Sequence, residues 1–192
     1  MANLDAPLGF RAVENGVAGI VPRLRTYTVA DSVAVYEGDL VAINSTGKII
    51  AYNTTDAAAG DLVGVAAHPV TAAADDRELQ IYDDPAQIFE VQADDNSLTV
   101  VSDYLFKFFK PVATTGNTTT LQSKHELDAD SGTATQGTVA TNIAPVQVIG
   151  VSKAINNDEA VSFTRYLVKI VGPAHIRSDV AGVNATHVGG IG

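Results

Sequence analysis

LQIYDDPAQIFEVQ, Leu79 to Gln92, sets two adjacent aspartates between two runs in which apolar and polar residues alternate. Alternation with period two marks a strand, because successive strand side chains point to opposite faces. Between the runs, Asp84 suits the first position of a turn whose second position is preset by Pro85, and an aspartate there accepts local backbone N–H bonds. The stretch predicts a hairpin, with Leu79 and Ile81 sharing an inner face with Phe89 and Val91, and Gln80, Tyr82, Ile88 and Glu90 on the outer face. Asp83 and Asp84 are then its corner. A catalytic carboxylate pair would need supporting groups and a pocket that no neighbouring motif supplies.

The same pattern recurs along the chain. DLVAI (39–43), GKIIAY (47–52), LVGVAAHPV (62–70), PVQVIGVSKA (145–154) and VSFTRYLVKIV (161–171) are short β-branched or aromatic runs divided by turn signals such as STG and INNDE. STGK, Ser45 to Lys48, reads as a hairpin turn. The spacing is too short for crossover helices, so the expected fold is mainly β: an antiparallel β-sandwich, jelly-roll-like, or a barrel, with extended N- and C-terminal arms. In VSFTRYLVKIV the pattern changes phase between Val161 and Phe163 on one side and Tyr166, Val168 and Ile170 on the other, which predicts a bulge or bend near Thr164 and Arg165. DYLFKFFK, Asp103 to Lys110, is read as strand, with one helical turn as the alternative.

Three segments look unlike the core. Residues 1–24 mix Pro7, Gly9, Gly16, Gly19 and Pro22 with isolated apolar residues, the composition of an extended arm. The β domain spans 25–173 and carries a long Thr- and Gly-rich loop at 113–142. Residues 174–192 form a C-terminal tail.

Composition excludes several function classes. The 192 residues suffice to bury roughly 70% of the unfolded chain's surface, so one domain needs no staples. With 12 Lys and Arg against 22 Asp and Glu, the net charge of −10 repels phosphate backbones and anionic membranes, so neither nucleic acid nor membrane is an expected partner. Cysteine is absent, which rules out thiol catalysis, disulfides and thiolate metal sites. The start MANLDAPLGF has no basic-then-apolar signal pattern, and no apolar run reaches the ~18 residues that span a bilayer.

Candidate chemistry is sparse. Asp75–Asp76 and Asp94–Asp95 are further acidic doublets, but adjacent side chains diverge, whereas calcium loops draw ligands at alternate positions. DADSG, Asp128 to Gly132, has its glycine one place early for an EF-hand and no closing glutamate. His125–Glu126 would open a zincin helix, yet Ala129 stands where the second histidine belongs. His68, His125, His175 and His187 are scattered. No nucleophile elbow, phosphate loop or dinucleotide fingerprint occurs, so no catalytic residue, metal or cofactor is expected. Tyr82 and Ile88, placed on the outer face of the hairpin, are the candidate contact residues of the body.

Read together, ANLDAPLGFRAV, YEGDLVAI, LVGVAA, IYDDPAQIFEVQ, the loop ending in HELD and APVQVIGVSKAINNDEAV resemble, in order and over most of the chain, the head-decoration (cement) proteins of tailed bacteriophages. That resemblance implies a virion component, made in the host cytoplasm and carried on the outer capsid surface. It would act as a homotrimer that binds the major capsid protein and holds neighbouring shell subunits together. It implies no catalysis. Asn3, Asp5, Pro7, Gly9 and Phe10 of the arm become candidates for lying along the shell or an adjacent protomer, and removing residues 2–12 is expected to leave the β domain folded. The closing VGPAHIRSDV departs from the polar ending expected of such proteins. The alternatives are a virion-surface β-sandwich that binds a host glycan or receptor, disfavoured by the absence of Trp, and a jelly-roll metal hydrolase, disfavoured by histidine spacing.

Overall fold

The computed structural model describes residues 3–15, 22–53, 62–94, 98, 100–132, 144–159 and 161–171. Within them the chain is mainly β and builds a closed barrel and an open sheet. The barrel contains β2 (Leu24–Val29), β3 (Leu40–Ile43), β4 (Ile49–Ala51), β5 (Leu62–Ala66) and β6 (Arg77–Tyr82), in the order β2-β4-β3-β5-β6. The sheet contains β1 (Arg11–Asn15), β7 (Gln87–Gln92), β12 (Arg165–Ile170), β11 (Val146–Val151) and β8 (Phe108–Phe109), in the order β1-β7-β12-β11-β8. A small ribbon pairs β9 (Pro111–Val112) with β10 (Glu126–Leu127). Among the described residues the pairings between these strands are antiparallel except the short contact of Val29 with Ile49, which closes the barrel.

Strand composition explains how the two bodies join. Along β3, Val41 points into the barrel with Val29, Ile49, Leu79 and Ile81, while Leu40 and Ala42 point out and pack with Phe89, Val91, Tyr166 and Val168 of the sheet. β5 does the same with Val63 inward and Leu62 outward, so the LVGVA run is buried on both faces and has no polar alternate. Gly64 is required where β5 meets β6, because a Cβ there would stand 2.2 Å from the Tyr82 carbonyl oxygen. The register slip between Val41 and Ala42 lets β5 change phase and put Val65 into the sheet-side core.

Every long strand run read from the sequence is a strand, and the STGK turn joins β3 to β4 as expected. The Asn44 carboxamide oxygen accepts the Thr46 and Lys48 N–H groups at 3.0 and 2.9 Å, and Gly47 takes φ +80°. The predicted hairpin at Leu79–Gln92 does not form. Its turn does, with the Asp84 carbonyl accepting from Gln87 N–H at 3.0 Å and its carboxylate from Ala86 N–H at 2.8 Å. The flanking strands then part: β6 pairs with β2 and β5 in the barrel, and β7 with β1 and β12 in the sheet. Leu79 and Ile81 therefore fill the barrel, and Phe89 and Val91 fill the space between barrel and sheet. Ile88 is buried on the other side of β7, so it is no exposed contact residue. Tyr82 is half-buried with its ring edge-on to Phe89, at 6.4 Å and 74°.

Of the expected arm, residues 3–15 are not free of the body. Phe10 is 1% exposed and sits in the sheet-side core, and Arg11–Asn15 adds the edge strand β1 to β7. DYLFKFFK divides: Val101–Tyr104 is one helical turn, α1, and Phe108–Phe109 is strand. Of the bulge or bend expected near Thr164, the chain takes a bend: Val161–Phe163 forms a tight turn with Phe163 at φ +60° just before β12, and the register shift lies opposite, between Val148 and Gly150. Residues 113–132 of the Thr-rich segment pack on the body, with Ser123, His125 and Leu127 buried. Residues 133–143, the tail 174–192 and the histidines His175 and His187 lie outside the described residues.

Because Phe10 fills core space, Phe10→Ala should cost about 3–5 kcal/mol of unfolding free energy. Urea denaturation checks this, and a loss below ~1 kcal/mol would contradict the placement. Deleting residues 2–12 should unfold the chain for the same reason.

Candidate functional site

The N-terminal segment, residues 3–10, lies over the outer face of β7 and is fastened at both ends. At its start the Asn3 side chain donates to the Asp158 carbonyl at 3.0 Å and accepts Asp158 N–H at 2.9 Å, which mimics a strand pair. Further on, Ala6 N–H donates to the Gln92 carboxamide oxygen at 3.3 Å, and Gln92 Nε2 donates to Asp5 at 3.4 Å. At its end Phe10 N–H donates to the Gly38 carbonyl at 2.9 Å. Gly9, at φ +70°, allows this approach, because a Cβ would lie 2.4 Å from Ser123 Cβ and 2.6 Å from the Gly38 carbonyl oxygen.

A groove of about 580 Å³ runs between this segment and the turn that joins β11 to β12. The turn is held by Asn157, whose side chain donates to the Ser152 and Arg165 carbonyls and accepts Arg165 N–H at 2.7 Å. On the floor, the buried Glu90 carboxylate accepts the Ser152 hydroxyl and is flanked by Arg11 at 3.7 Å and Arg165 at 3.8 Å. Two guanidinium groups around one carboxylate leave the floor without uncompensated negative charge. The rim is apolar: Leu4 is 80%, Leu8 41% and Ile155 87% exposed.

Of the residues expected to make contacts, Asn3, Asp5 and Pro7 lie in the N-terminal segment, with Asp5 exposed and Asn3 and Pro7 half-buried. Gly9, Phe10 and Ile88 are enclosed by the chain's own body, and Tyr82 lies at the join of barrel and sheet. The exposed apolar residues Leu4, Leu8 and Ile155 were not among the expected contacts. Their signal in the sequence is an isolated apolar residue among turn formers, as in AINND, where no strand needs one.

A second groove, about 470 Å³, opens over the Asp39–His125 pair and is lined also by Tyr36, Tyr52, Asn53 and Thr115. Leu40 N–H donates to His125 Nδ1 at 3.1 Å, so the ring proton is on Nε2, 3.6 Å from Asp39 Oδ1. Asp39 Oδ2 accepts Tyr36 N–H at 2.8 Å, while Oδ1 has no donor in hydrogen-bonding geometry. Burial raises the Asp39 carboxyl, opposed by His125, the nearby Ser123 hydroxyl and the Tyr36 N–H. Burial likewise lowers His125, opposed by Asp39. Ser123 Oγ accepts His125 N–H at 3.0 Å and is fully buried, so Ser, His and Asp are neighbours here without the hydroxyl-to-imidazole bond that activates a serine.

The remaining candidates are structural. Asp83 is buried, accepting the Tyr27 hydroxyl at 2.8 Å and pairing with Arg25 at 3.2 Å, which ties β2 to the end of β6. Asp76 and Asp31 share Lys48 at the barrel mouth. His68 Nε2 accepts Gln80 N–H at 3.1 Å, and its Nδ1 lies 3.2 Å from the Pro69 carbonyl. Ala129–Ser131, within DADSG, is a single 3-10 turn, and Asp94 accepts Ala129 N–H at 3.0 Å. Among the described residues no group of His, Asp and Glu is placed to hold a metal ion.

No protein-family model matches the chain, and no curated protein matches its sequence.

One carboxyl group near the N-terminal segment is strongly perturbed. Glu126 is raised from 4.5 to about 7, first by burial and then by the charges of Asp5 and Asp94. A raised folded-state value means stability present below pH 4.5 that is lost as the pH rises through about 7. At this half-exposed position screening reduces the effect to about 1 kcal/mol. Glu126→Gln should therefore raise Tm relative to wild type at pH 8 and leave it nearly unchanged at pH 5, as measured by thermal unfolding at both values.

Proposed function

We propose that this chain is a capsid decoration protein, which docks on the outer surface of an assembled phage shell as a trimer and holds adjacent major capsid subunits together. The observation that carries this reading is the apolar rim formed by Leu4, Leu8 and Ile155 along the groove under the N-terminal segment. The order of sequence stretches shared with decoration proteins supports it from a different direction.

The rim suits a seam between subunits. Its backbone is fixed beforehand by Asn3, Gln92 and Asn157, so docking orders few side chains and loses little entropy. Covering each of these side chains contributes about 1.5–3 kcal/mol before association costs, which is a modest gain for one copy. Three copies held together convert modest single contacts into durable attachment through effective concentration. The net charge of −10 keeps the outer face from adhering to nucleic acid.

Tailed-phage capsids from the source of this chain, stripped of decoration, provide the test. Leu4→Ser, Leu8→Ser and Ile155→Ser combined should lower the co-sedimenting fraction by at least ~10-fold while shifting Tm by less than ~2 °C, since the three side chains are already in water. The same substitutions at Val100, Val101 and Phe106, a separate exposed apolar set, serve as the control. Full binding by the rim variant, or equal loss in both, would refute the docking edge.

A further inference from the structure

We propose that the groove over Asp39 is a binding site for a cationic side chain, arginine or lysine, presented by a partner protein. The inference does not rest on the decoration reading, because this groove shares no lining residue with the apolar one.

Asp39 is a buried carboxylate with no formal counter-charge in the groove. Asp39 is 2% exposed, and a buried charge requires a counter-charge or a full set of hydrogen bonds. Its partners are all neutral: the Tyr36 N–H on Oδ2, the nearby Ser123 hydroxyl and, on the Oδ1 side, an imidazole N–H at 3.6 Å, beyond hydrogen-bonding distance. His125 is held neutral by its own burial and by the Leu40 N–H that occupies Nδ1, so it brings no formal charge. No lysine or arginine lines the groove. The result is a hole of negative potential at the bottom of an open cleft, in a chain that is itself strongly acidic.

The walls fit the same ligand class. Tyr36 and Tyr52 offer ring faces, against which a guanidinium or an alkyl-ammonium stem packs favourably. The Tyr36 ring is fixed against Gly116, where a Cβ would come within 2.4 Å of it, so that wall is preformed. Asn53 and Thr115 add polar groups near the opening. A neutral donor would satisfy Oδ1, but only a cation also offsets the buried charge. The occupant must therefore bind the ionised carboxylate in preference to the protonated one.

That requirement supplies the experiment. Capped arginine, N-acetyl-arginine methylamide, is titrated into the full chain while 1H–15N shifts of Tyr36, Leu40 and Gly116 are followed, with capped citrulline as the neutral isostere and capped lysine as the second cation. Saturable shifts for arginine or lysine, at least ~10-fold weaker or absent for citrulline, are expected. The shifts should vanish in Asp39→Asn, whose side-chain oxygen can still accept Tyr36 N–H, and should weaken as the pH is lowered and Asp39 takes up a proton. If Asp39→Asn does not fold, the pH dependence in the wild-type chain decides alone. Absence of saturable shifts, equal binding of citrulline, or affinity unchanged between pH 7 and pH 4 would each overturn the proposal, leaving a cleft occupied by solvent only.

Discussion

Strands β3 and β5 have no solvent face, and that constraint organises the molecule. Each is a wall of the barrel on one side and a floor for the sheet on the other, so Leu40 and Val41, neighbours in sequence, serve separate cores. A wall shared in this way fixes the orientation of sheet to barrel through side-chain packing and needs no hinge. It also forces the chain to leave the barrel after β6 and to cross between bodies at Asp83–Asp84–Pro85. Asp83 seals that crossing by pairing with Arg25 and Tyr27 of β2.

The N-terminal segment is the second consequence. β7 has neighbours on both edges and a core on one face, which leaves Ile88, Glu90 and Gln92 facing outward with nothing in the adjacent sequence to cover them. Residues 3–10 supply the cover, and Gln92 and Glu90 become the polar attachments beneath it. The same cover carries Leu4 and Leu8 into the open. Burial of one strand face and exposure of the proposed docking edge thus come from a single stretch of chain.

Strand content was legible because β-branched and aromatic runs separated by Asn, Asp, Gly and Pro admit few other readings, as DLVAI, ELQIY and VQVIGV show. Partner choice was not. A DDP turn between alternating runs is equally good chemistry for a hairpin and for a corner, and only the packing of β3 and β5 between the two bodies decides. Alternation in IFEVQ misled in a related way: it reports which residues differ in polarity, and cannot show that Ile88 and Glu90 are buried too, or that a segment some 80 residues away is fastened to Gln92. Isolated features carry no period: nothing marks Phe10 as a core residue, and the exposed Ile155 shows only as a lone apolar residue among turn formers. His125 and Asp39 were equally hidden, because the Leu40 N–H that meets the imidazole is 85 residues away along the chain.

The bond between Asn3 and the backbone at Asp158 joins positions 155 residues apart. Because synthesis runs from the N-terminal side, Asn3 can find its place only after the turn at Asp158 has been made. Leu4 and Ile155 face one another only once the chain between them has folded. A product that stops short of the turn lacks the assembled rim, so folding itself would decide which copies carry the proposed docking edge.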